Sequence, residues 1–170
     1  KRLMIDEARQ MGVPLAPLDI NFSSGGYRVE MPDGETVAKP AIRIALSAVS
    51  GASEKEIASI TAGQPYIDLA DFYRRSGASA PTMETLILTG AFDAVHIAPA
   101  SEGGEITHRD LLLHLADLQK TSSPSLSGAQ MSLALAPPIL EASGLPAMSS
   151  GEKMANELSR LGMDISEHLL

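Results

Sequence analysis

The residues that point most directly to binding chemistry form a glycine-containing turn at 49–53, with the sequence VSGAS. Ser53 is a good helix N-cap, and Glu56, three residues later, completes the pattern of a capping box. A turn that opens onto a helix N-terminus presents unpaired backbone N–H groups, and such groups bind phosphate. The pattern therefore predicts recognition of an anion by the backbone.

Two short helices are predicted to position this turn, because apolar residues recur at helical spacing on both sides of it. These residues are Ala45, Leu46, Ala48 and Val49 before the turn, and Ile57, Ala58 and Ile60 after it. Together the elements form a helix-hairpin-helix, and we call residues 49–53 the hairpin turn. The alternative is an ordinary helix–turn–helix corner without a ligand, which the local pattern alone favours because such corners are common.

The flanking sequence predicts a mainly α-helical fold with one small β-hairpin. Residues 27–31 alternate in polarity and are predicted to pair with residues 42–44. Arg43 then lies on the strand face opposite to the isoleucines, where it either contacts a phosphate or is solvated. Helices are predicted at 2–10, 69–76, 79–90, 107–120 and 151–161. Asp68 is expected to cap the second of these, and Ser150 the last.

Five consecutive segments are expected. They are 1–38 with the small hairpin, 39–95 with the helix-hairpin-helix, 96–120 with a helix, 121–149 as a flexible linker, and 150–170 with a last helix. The linker is predicted from the serine-rich run TSSPSLSGA. Within it, the apolar island QMSLAL at 130–135 is interpreted as a docking peptide for another protein, or as a segment that packs on its own domain.

The charge distribution limits the strength of any contact with nucleic acid. The chain of 170 residues carries a formal net charge of −8, which argues against a free-standing nucleic-acid binder. Between Lys39 and Phe92, however, five basic residues balance five acidic ones, whereas nine acidic and four basic residues follow from Val95 onward. A neutral module of this kind makes only a few phosphate contacts.

Other features of the composition bound the class of protein. Apolar residues make up 44% of the chain but aromatic ones only 4%, which suits small helices. The chain has no cysteine and no apolar run of the length that spans a membrane, so we expect a cytoplasmic protein. It does not begin with Met and it ends on two leucines, so we expect a piece of a longer protein.

Catalytic patterns are absent from the sequence. We find no glycine-rich phosphate loop, no dinucleotide fingerprint and no nucleophile elbow. The histidines, which lack the spacing of metal ligands, are His96, His108, His114 and His168. The residues therefore indicate a binding or connecting module without a catalytic site, metal or cofactor of its own.

The order of the motifs carries a family resemblance over nearly the whole chain. EARQMGVPLAPLDIN is followed by IRIALSAVSG and EKEIASI, then by PYIDLADFYRRSG, METLILTGAFDAV and HRDLLLHL, and finally by ELSRLGMDISEHLL. In this order they resemble the C-terminal half of the alpha subunit of bacterial DNA polymerase III, a C-family DNA polymerase. The resemblance runs from the end of the fingers region to the element that leads into an OB-fold domain. The ending DISEHL is similar to the error-prone, damage-tolerant branch.

The resemblance implies that the hairpin contacts the backbone of duplex DNA without sequence preference. The implied contact residues are Ser50, Gly51, Ala52 and Ser53 of the hairpin turn, with Arg43 and Lys55 as nearby cations. The family usually has Gly where Ser53 stands and often Lys where Ser50 stands. We therefore expect a turn that is restricted at Ser53 and that lacks a phosphate partner at Ser50. The alternative is a structural interdomain or protein-interaction module with a vestigial hairpin.

The resemblance also implies a sliding clamp and other polymerase or mutasome subunits as partners. The clamp motif maps to Gln130, Met131, Ser132, Leu133 and Leu135, with Ala134 where the family commonly has Phe. The parent enzyme would be a Mg-dependent nucleotidyltransferase of replication or of error-prone translesion repair synthesis. Its catalytic aspartates belong to a palm domain upstream, so this chain is expected not to polymerise DNA.

Overall fold

In the computed structural model, which describes residues 2–31, 40–97, 105–122, 138–163 and 165, the chain is mainly helical with one small sheet. The elements are α1 (Arg2–Gln10), β1 (Leu15–Ala16), β2 (Arg28–Glu30), β3 (Ala41–Arg43), α2 (Glu54–Gly63), α3 (Leu69–Arg75), α4 (Ala80–Leu88), α5 (His108–Ser122) and α6 (Ser150–Leu161). A 3₁₀ turn covers Leu46–Ala48 and a π-helical turn covers Asp93–Ile97. The predicted fold class is confirmed.

The sheet contains the predicted hairpin and one additional strand. β2 and β3 pair antiparallel, with Val29 opposite Ile42, as the alternation predicts. The additional strand, β1, has no alternating pattern that predicts it, and it pairs parallel with β3. Pro14 and Pro17 flank β1 and cannot donate to a ladder, so the strand is only two residues long. The Pro14 carbonyl still accepts from the Ile42 N–H at 2.9 Å.

The first helix of the predicted hairpin is reduced to the 3₁₀ turn Leu46–Ala48. β3 ends only at Arg43, and Ala45 remains extended with ψ 146°. Val49 returns to an extended conformation with ψ 116°. Three residues are then left to turn the chain, which is too few for an α-helix. The second helix, α2, forms as predicted.

The helix caps confirm the local sequence signals. Ser53 and Glu56 form a complete capping box at α2, and the Asp68 side chain caps α3. The cap of α6 is Ser149, not the predicted Ser150. Glu152 lies three residues after Ser149, which is the spacing that a reciprocal capping box requires.

One apolar core supports all of these elements. Phe72 is completely buried and packs edge-to-face on Tyr66 and Phe92, with ring centroids 4.8 and 5.2 Å apart. Burying a phenylalanine in this way contributes about 2 to 3 kcal/mol. The same core receives Ile5 of α1, Leu46 of the 3₁₀ turn, Leu111 of α5 and Leu161 of α6. The hairpin is therefore fixed to the flanking helices by shared packing.

The predicted linker at 121–149 is described only in part. Residues 138–149 have no regular structure, but the Ser143 N–H donates to Oδ1 of Asp110 on α5 at 2.8 Å, and Met148 is buried. The proposed clamp motif at 130–135 lies outside the described residues. Among the helices that are described, none is long and apolar enough to cross a membrane.

Candidate nucleic-acid interface

The backbone of the hairpin turn depends on glycine at one position. Gly51 has φ +85°, a left-handed conformation that glycine adopts without strain. Ser53 has φ −78°, which any residue adopts. The expectation that serine at 53 restricts the turn is therefore wrong, since the position that needs glycine is Gly51.

Several N–H groups of the hairpin turn are already bound inside the protein. Ser50 donates to the Arg160 carbonyl (2.8 Å), Ala52 to the Val49 carbonyl (3.3 Å) and Ser53 to Oε2 of Glu56 (2.8 Å). By contrast, the N–H groups of Gly51, Glu54 and Lys55 have no acceptor among the described residues. Free N–H groups at the first turn of a helix are the usual donors to a bound anion.

Glu56 places a carboxylate beside these donors. Its Oε2 accepts from the Ser53 N–H, and its Oε1 accepts from the Ser79 N–H at 2.8 Å and from the Thr82 hydroxyl at 3.0 Å. The hydrogen bonds from the backbone of Ser53 and then of Ser79 hold the pKa of Glu56 well below its usual range. One carboxylate thus joins the N-termini of α2 and α4.

The contact of Glu56 with the N-terminus of α4 cannot be recognised from the sequence around Glu56. The signal lies at α4, whose first turn contains no acidic residue and whose N-cap Ser79 makes no capping hydrogen bond with its side chain. A helix N-terminus favours a nearby anion. At α4, that anion is Glu56 of α2.

The charges around the hairpin turn are only weakly suited to phosphate. Lys55 is exposed and has no ion-pair partner among the described residues, but Glu54 and Glu56 flank it in the sequence. The turn therefore offers an anion three backbone donors and one lysine, against two carboxylates. Such a site holds a phosphate weakly, since each contact adds only a small term.

Arg43 is committed within the protein. Its Nε donates to Oε2 of Glu30 at 3.1 Å, its Nη2 forms an ion pair with the same carboxylate, and its Nη1 donates to the Pro17 carbonyl at 2.7 Å. Its side chain is only 14% exposed. The contact of Arg43 with phosphate stays a prediction, and its charge is already compensated by Glu30.

Arg75 shows the same internal use of a cation. It donates to Oδ2 of Asp71 at 2.6 Å and to the carbonyl of Gly63, and it lies over the Tyr66 ring at 4.9 Å. It therefore neutralises the C-terminal end of α2, where exposed carbonyls carry partial negative charge. Among the residues that the structure describes, no group of histidines, aspartates or glutamates could hold a metal ion.

Comparison with known proteins identifies the hairpin. A family model described as a helix-hairpin-helix motif matches residues 12–101, more than half of the chain. The chain belongs to this family. The match includes the sheet, the hairpin turn, α2, α3 and α4.

Curated relatives extend the similarity over nearly the whole chain. An error-prone DNA polymerase from Symbiobacterium thermophilum is 39% identical over 111 residues, which cover 53% of this chain and 10% of the relative. DNA polymerase III subunit alpha from Neisseria meningitidis serogroup B is 32% identical over 173 residues, covering 96% of this chain and 14% of the relative. An error-prone DNA polymerase from Bordetella parapertussis is 25% identical over 174 residues, covering 98% and 14%.

These relatives confirm the resemblance to the C-family polymerase III alpha subunit and to its error-prone branch. Both names occur among them at similar identity. The chain spans only 10% to 15% of the length of the curated relatives that it matches.

Proposed function

We propose that this chain is a non-catalytic region of a DNA-directed DNA polymerase, which acts in replication or error-prone repair synthesis. In this role it contacts the backbone of duplex DNA without sequence preference. The observation that carries the proposal is the set of three N–H groups at the family-matched hairpin, those of Gly51, Glu54 and Lys55, for which the described part of the chain provides no acceptor. Backbone donors read phosphates but no base edges, so they give affinity without sequence information.

The expected binding is weak and sensitive to salt. Each neutralised phosphate contributes a slope of about −0.9 to the logarithm of the affinity against the logarithm of the salt concentration. With one lysine and three backbone donors, a total slope of about −1 to −3 is expected. Fluorescence anisotropy with two labelled duplexes of unrelated sequence, at low and moderate salt, measures both properties. Absence of binding at low salt, or a strong preference for one sequence, would contradict the proposal.

A charge placed on the hairpin turn tests where the duplex lies. Ser50 is exposed, and Ser50→Lys leaves the Ser53–Glu56 capping box intact. If the turn faces the duplex, affinity should rise several-fold and the salt slope should become more negative by about 1. Ser150→Lys is the matched control, because it adds the same charge at another exposed serine. Ser50 contacts the C-terminal end of α6, whereas Ser150 begins that helix about 17 Å away along its axis.

The family residue at position 53 provides a second, separate test. Ser53→Gly should cost only a few tenths of a kcal/mol as a cap. Because Ser53 already has an ordinary φ of −78°, no gain in DNA affinity is expected from this change alone. A combined Ser50→Lys and Ser53→Gly variant should therefore bind like the Ser50→Lys variant.

A structural interdomain or protein-interaction module is the second candidate function. It is favoured by the Ser50 N–H, which is bound to the Arg160 carbonyl, and by the two carboxylates that flank Lys55. Under this function, Ser50→Lys and Ser150→Lys would change DNA affinity equally or not at all. The same pair of variants thus separates the two functions.

Binding of a sliding clamp is a further part of the proposal, supported only by the place of QMSLAL in the motif order. Gln130→Ala combined with Leu133→Ala should abolish binding to an immobilised clamp in surface plasmon resonance. Ser125→Ala combined with Ser127→Ala is a matched control in the same serine-rich segment. Equal binding of the two double variants would place the clamp contact elsewhere. Contacts with other polymerase or mutasome subunits have no assigned residues.

A further inference from the structure

A second turn with an unusual surface lies beside the hairpin. We call residues 19–23 the aromatic turn, because Phe22 stands on it with 63% of its area exposed. The chain has three phenylalanines, and the other two, Phe72 and Phe92, are completely buried in the core. An exposed phenylalanine forfeits the free energy that burial would provide. Its position is therefore a feature to be explained.

The aromatic turn holds Phe22 at the surface by a dense set of hydrogen bonds. Oδ1 of Asp19 accepts from the N–H groups of Asn21 at 2.7 Å and of Phe22 at 3.1 Å. The Asn21 side chain in turn pairs with both the N–H and the carbonyl of Tyr66, at 2.7 and 2.9 Å. Gln64 Nε2 donates to the carbonyls of Ile20 and Ser23. The backbone under Phe22 is thus fixed, and the ring is preorganised.

Two arginines accompany the exposed ring. The guanidinium carbon of Arg43 lies 5.8 Å from the centre of the Phe22 ring. Arg28 is directly opposite Arg43 in the antiparallel ladder, so both side chains lie on the same face of the sheet. Arg28 is exposed and has no partner among the described residues, whereas Arg43 is paired with Glu30. The formal charges of the patch balance, because Glu30 pairs with Arg43 and Asp19 lies in the aromatic turn, so Arg28 is the exposed cation that the patch offers to a ligand.

The patch is continuous with the hairpin. The carbonyl of Ser24, the residue after the aromatic turn, accepts from the Leu46 N–H of the 3₁₀ turn at 2.8 Å. Gly25 lies so close to α2 that a Cβ atom there would be 3.3 Å from Cγ2 of Ile57. The segment that follows the aromatic turn is therefore in direct contact with the hairpin.

We propose that Phe22 is a stacking platform for an unpaired base and that Arg28 binds the adjoining phosphate. The region then holds a single-stranded nucleic-acid segment beside the duplex; this inference rests on the proposed function. Aromatic rings with neighbouring cations bind single strands without sequence preference, because every base has a π-face. Arg43 supports the platform from one side, since its N–H groups are bound to Glu30 and Pro17 and its charge attracts the ring.

The experiment compares a blunt duplex with the same duplex carrying a single-stranded overhang, using the 170-residue chain and fluorescence anisotropy. The wild-type chain should prefer the overhang by about fivefold or more, as expected for one stacked base. Phe22→Ala should abolish this preference and leave blunt-duplex binding unchanged, whereas Phe22→Tyr should retain it. Quenching of 2-aminopurine in the overhang reports the stacking directly. Ile67→Ala is the matched control, because Ile67 is also a large apolar side chain at the surface, with 80% of its area exposed.

Arg28→Gln provides an independent readout. It should weaken overhang binding and make the salt slope less negative by about 1. Equal affinity for both DNAs, or a preference that survives Phe22→Ala, would overturn the inference. Self-association of the wild-type chain that Phe22→Ala removes, without any effect on DNA, would instead assign the patch to a protein partner and also overturn it.

The outcomes separate this inference from the proposed function. Binding of the blunt duplex without any overhang preference retains the function and rejects the stacking platform. Overhang binding that Phe22→Ala removes, together with no binding of the blunt duplex, retains the platform and rejects the duplex-contacting function. Absence of binding to both DNAs rejects both.

Discussion

The hairpin turn and the aromatic turn are neighbours in the fold, but the groups that they expose to solvent differ in chemistry. In the hairpin turn, the backbone has the geometry of an anion site, while Glu54 and Glu56 supply negative charge around Lys55. In the aromatic turn, all five backbone N–H groups are engaged, while Phe22 is exposed to solvent, as is Arg28 on β2. Both turns lie within the matched residues 12–101, but the hairpin turn offers backbone donors, whereas the aromatic turn and β2 offer an exposed aromatic ring and a cation.

This difference indicates that the presence of a motif does not by itself determine the affinity for nucleic acid. The family model matches residues 12–101, and within them Gly51 and the Ser53–Glu56 cap shape the hairpin of this chain. These residues serve packing and helix termination regardless of any ligand. Affinity depends instead on charges such as a lysine at position 50, which this chain lacks. A nearby surface with suitable charges can then provide contacts that the motif does not.

The largest effect is expected where the aromatic turn is anchored. Asn21→Ala should lower the free energy of unfolding by about 2 to 3 kcal/mol, because the buried backbone groups of Tyr66 lose both of their partners. Urea denaturation measures the loss. Asn156→Ala is the control, since the only hydrogen bond of its side-chain amide in the described structure is to the sulfur of Met148. Equal losses in the two variants would show that the aromatic turn is not held in the way described.

The next effect concerns the hairpin turn. Glu56→Ala should cost about 1 to 2 kcal/mol, because the N-termini of α2 and α4 lose a shared acceptor. Glu54→Ala removes the same charge from the same helical turn, but Glu54 makes no hydrogen bond with its side chain in the described structure. Its cost should stay within about 0.5 kcal/mol. If both variants lose the same stability, the link to α4 contributes nothing.

The pH dependence of stability provides a test of the same carboxylate. The pKa of Glu56 is lower in the folded chain than in the unfolded one, so its contribution is present above the unfolded value, near 4.3, and is lost as the pH falls below it. The difference in unfolding free energy between the wild type and Glu56→Ala should therefore be constant above about pH 5 and shrink below about pH 4. A difference that grows on acidification would contradict this assignment. Denaturation curves at several pH values measure it.

The smallest effect is expected on DNA affinity at the hairpin turn. Glu54→Gln removes one carboxylate beside Lys55 and should raise the affinity for a blunt duplex by about twofold at low salt, and by less at moderate salt. Glu84→Gln, which changes an exposed residue on α4, is the control for net charge alone. Equal gains from the two variants would mean that the duplex is repelled by the whole chain and not by this turn.

Features that depend on neighbours in sequence are predictable from the sequence. The Ser53–Glu56 and Asp68 caps follow from residues three positions apart, and the pairing of β2 with β3 follows from the alternating polarity of the two segments. The order of the motifs was sufficient to identify the polymerase family. In each case, the physical cause is a local hydrogen bond, a local dihedral preference or a repeating pattern.

Features that join distant segments are not predictable in this way. The parallel pairing of β1 depends on β3, and the second oxygen of Glu56 depends on Ser79. The state of Arg43 depends on Glu30, which lies on the neighbouring strand. No local sequence pattern predicts these contacts, because each residue has several plausible partners until packing of the core brings one of them close. The helix-hairpin-helix was therefore located correctly from the sequence, whereas the pairing of the charges around it required the three-dimensional structure.

The bond from the Ser50 N–H to the Arg160 carbonyl has a thermodynamic consequence. A phosphate that accepts a hydrogen bond from the Ser50 N–H must replace the Arg160 carbonyl in the last turn of α6. The phosphate and the carbonyl therefore compete for this donor. By thermodynamic linkage, the hydrogen bond to α6 weakens anion binding at Ser50, and a bound anion weakens the packing of α6 by the same factor. The hydrogen-exchange rate of the Ser50 amide then reports both on the packing of α6 and on anion binding.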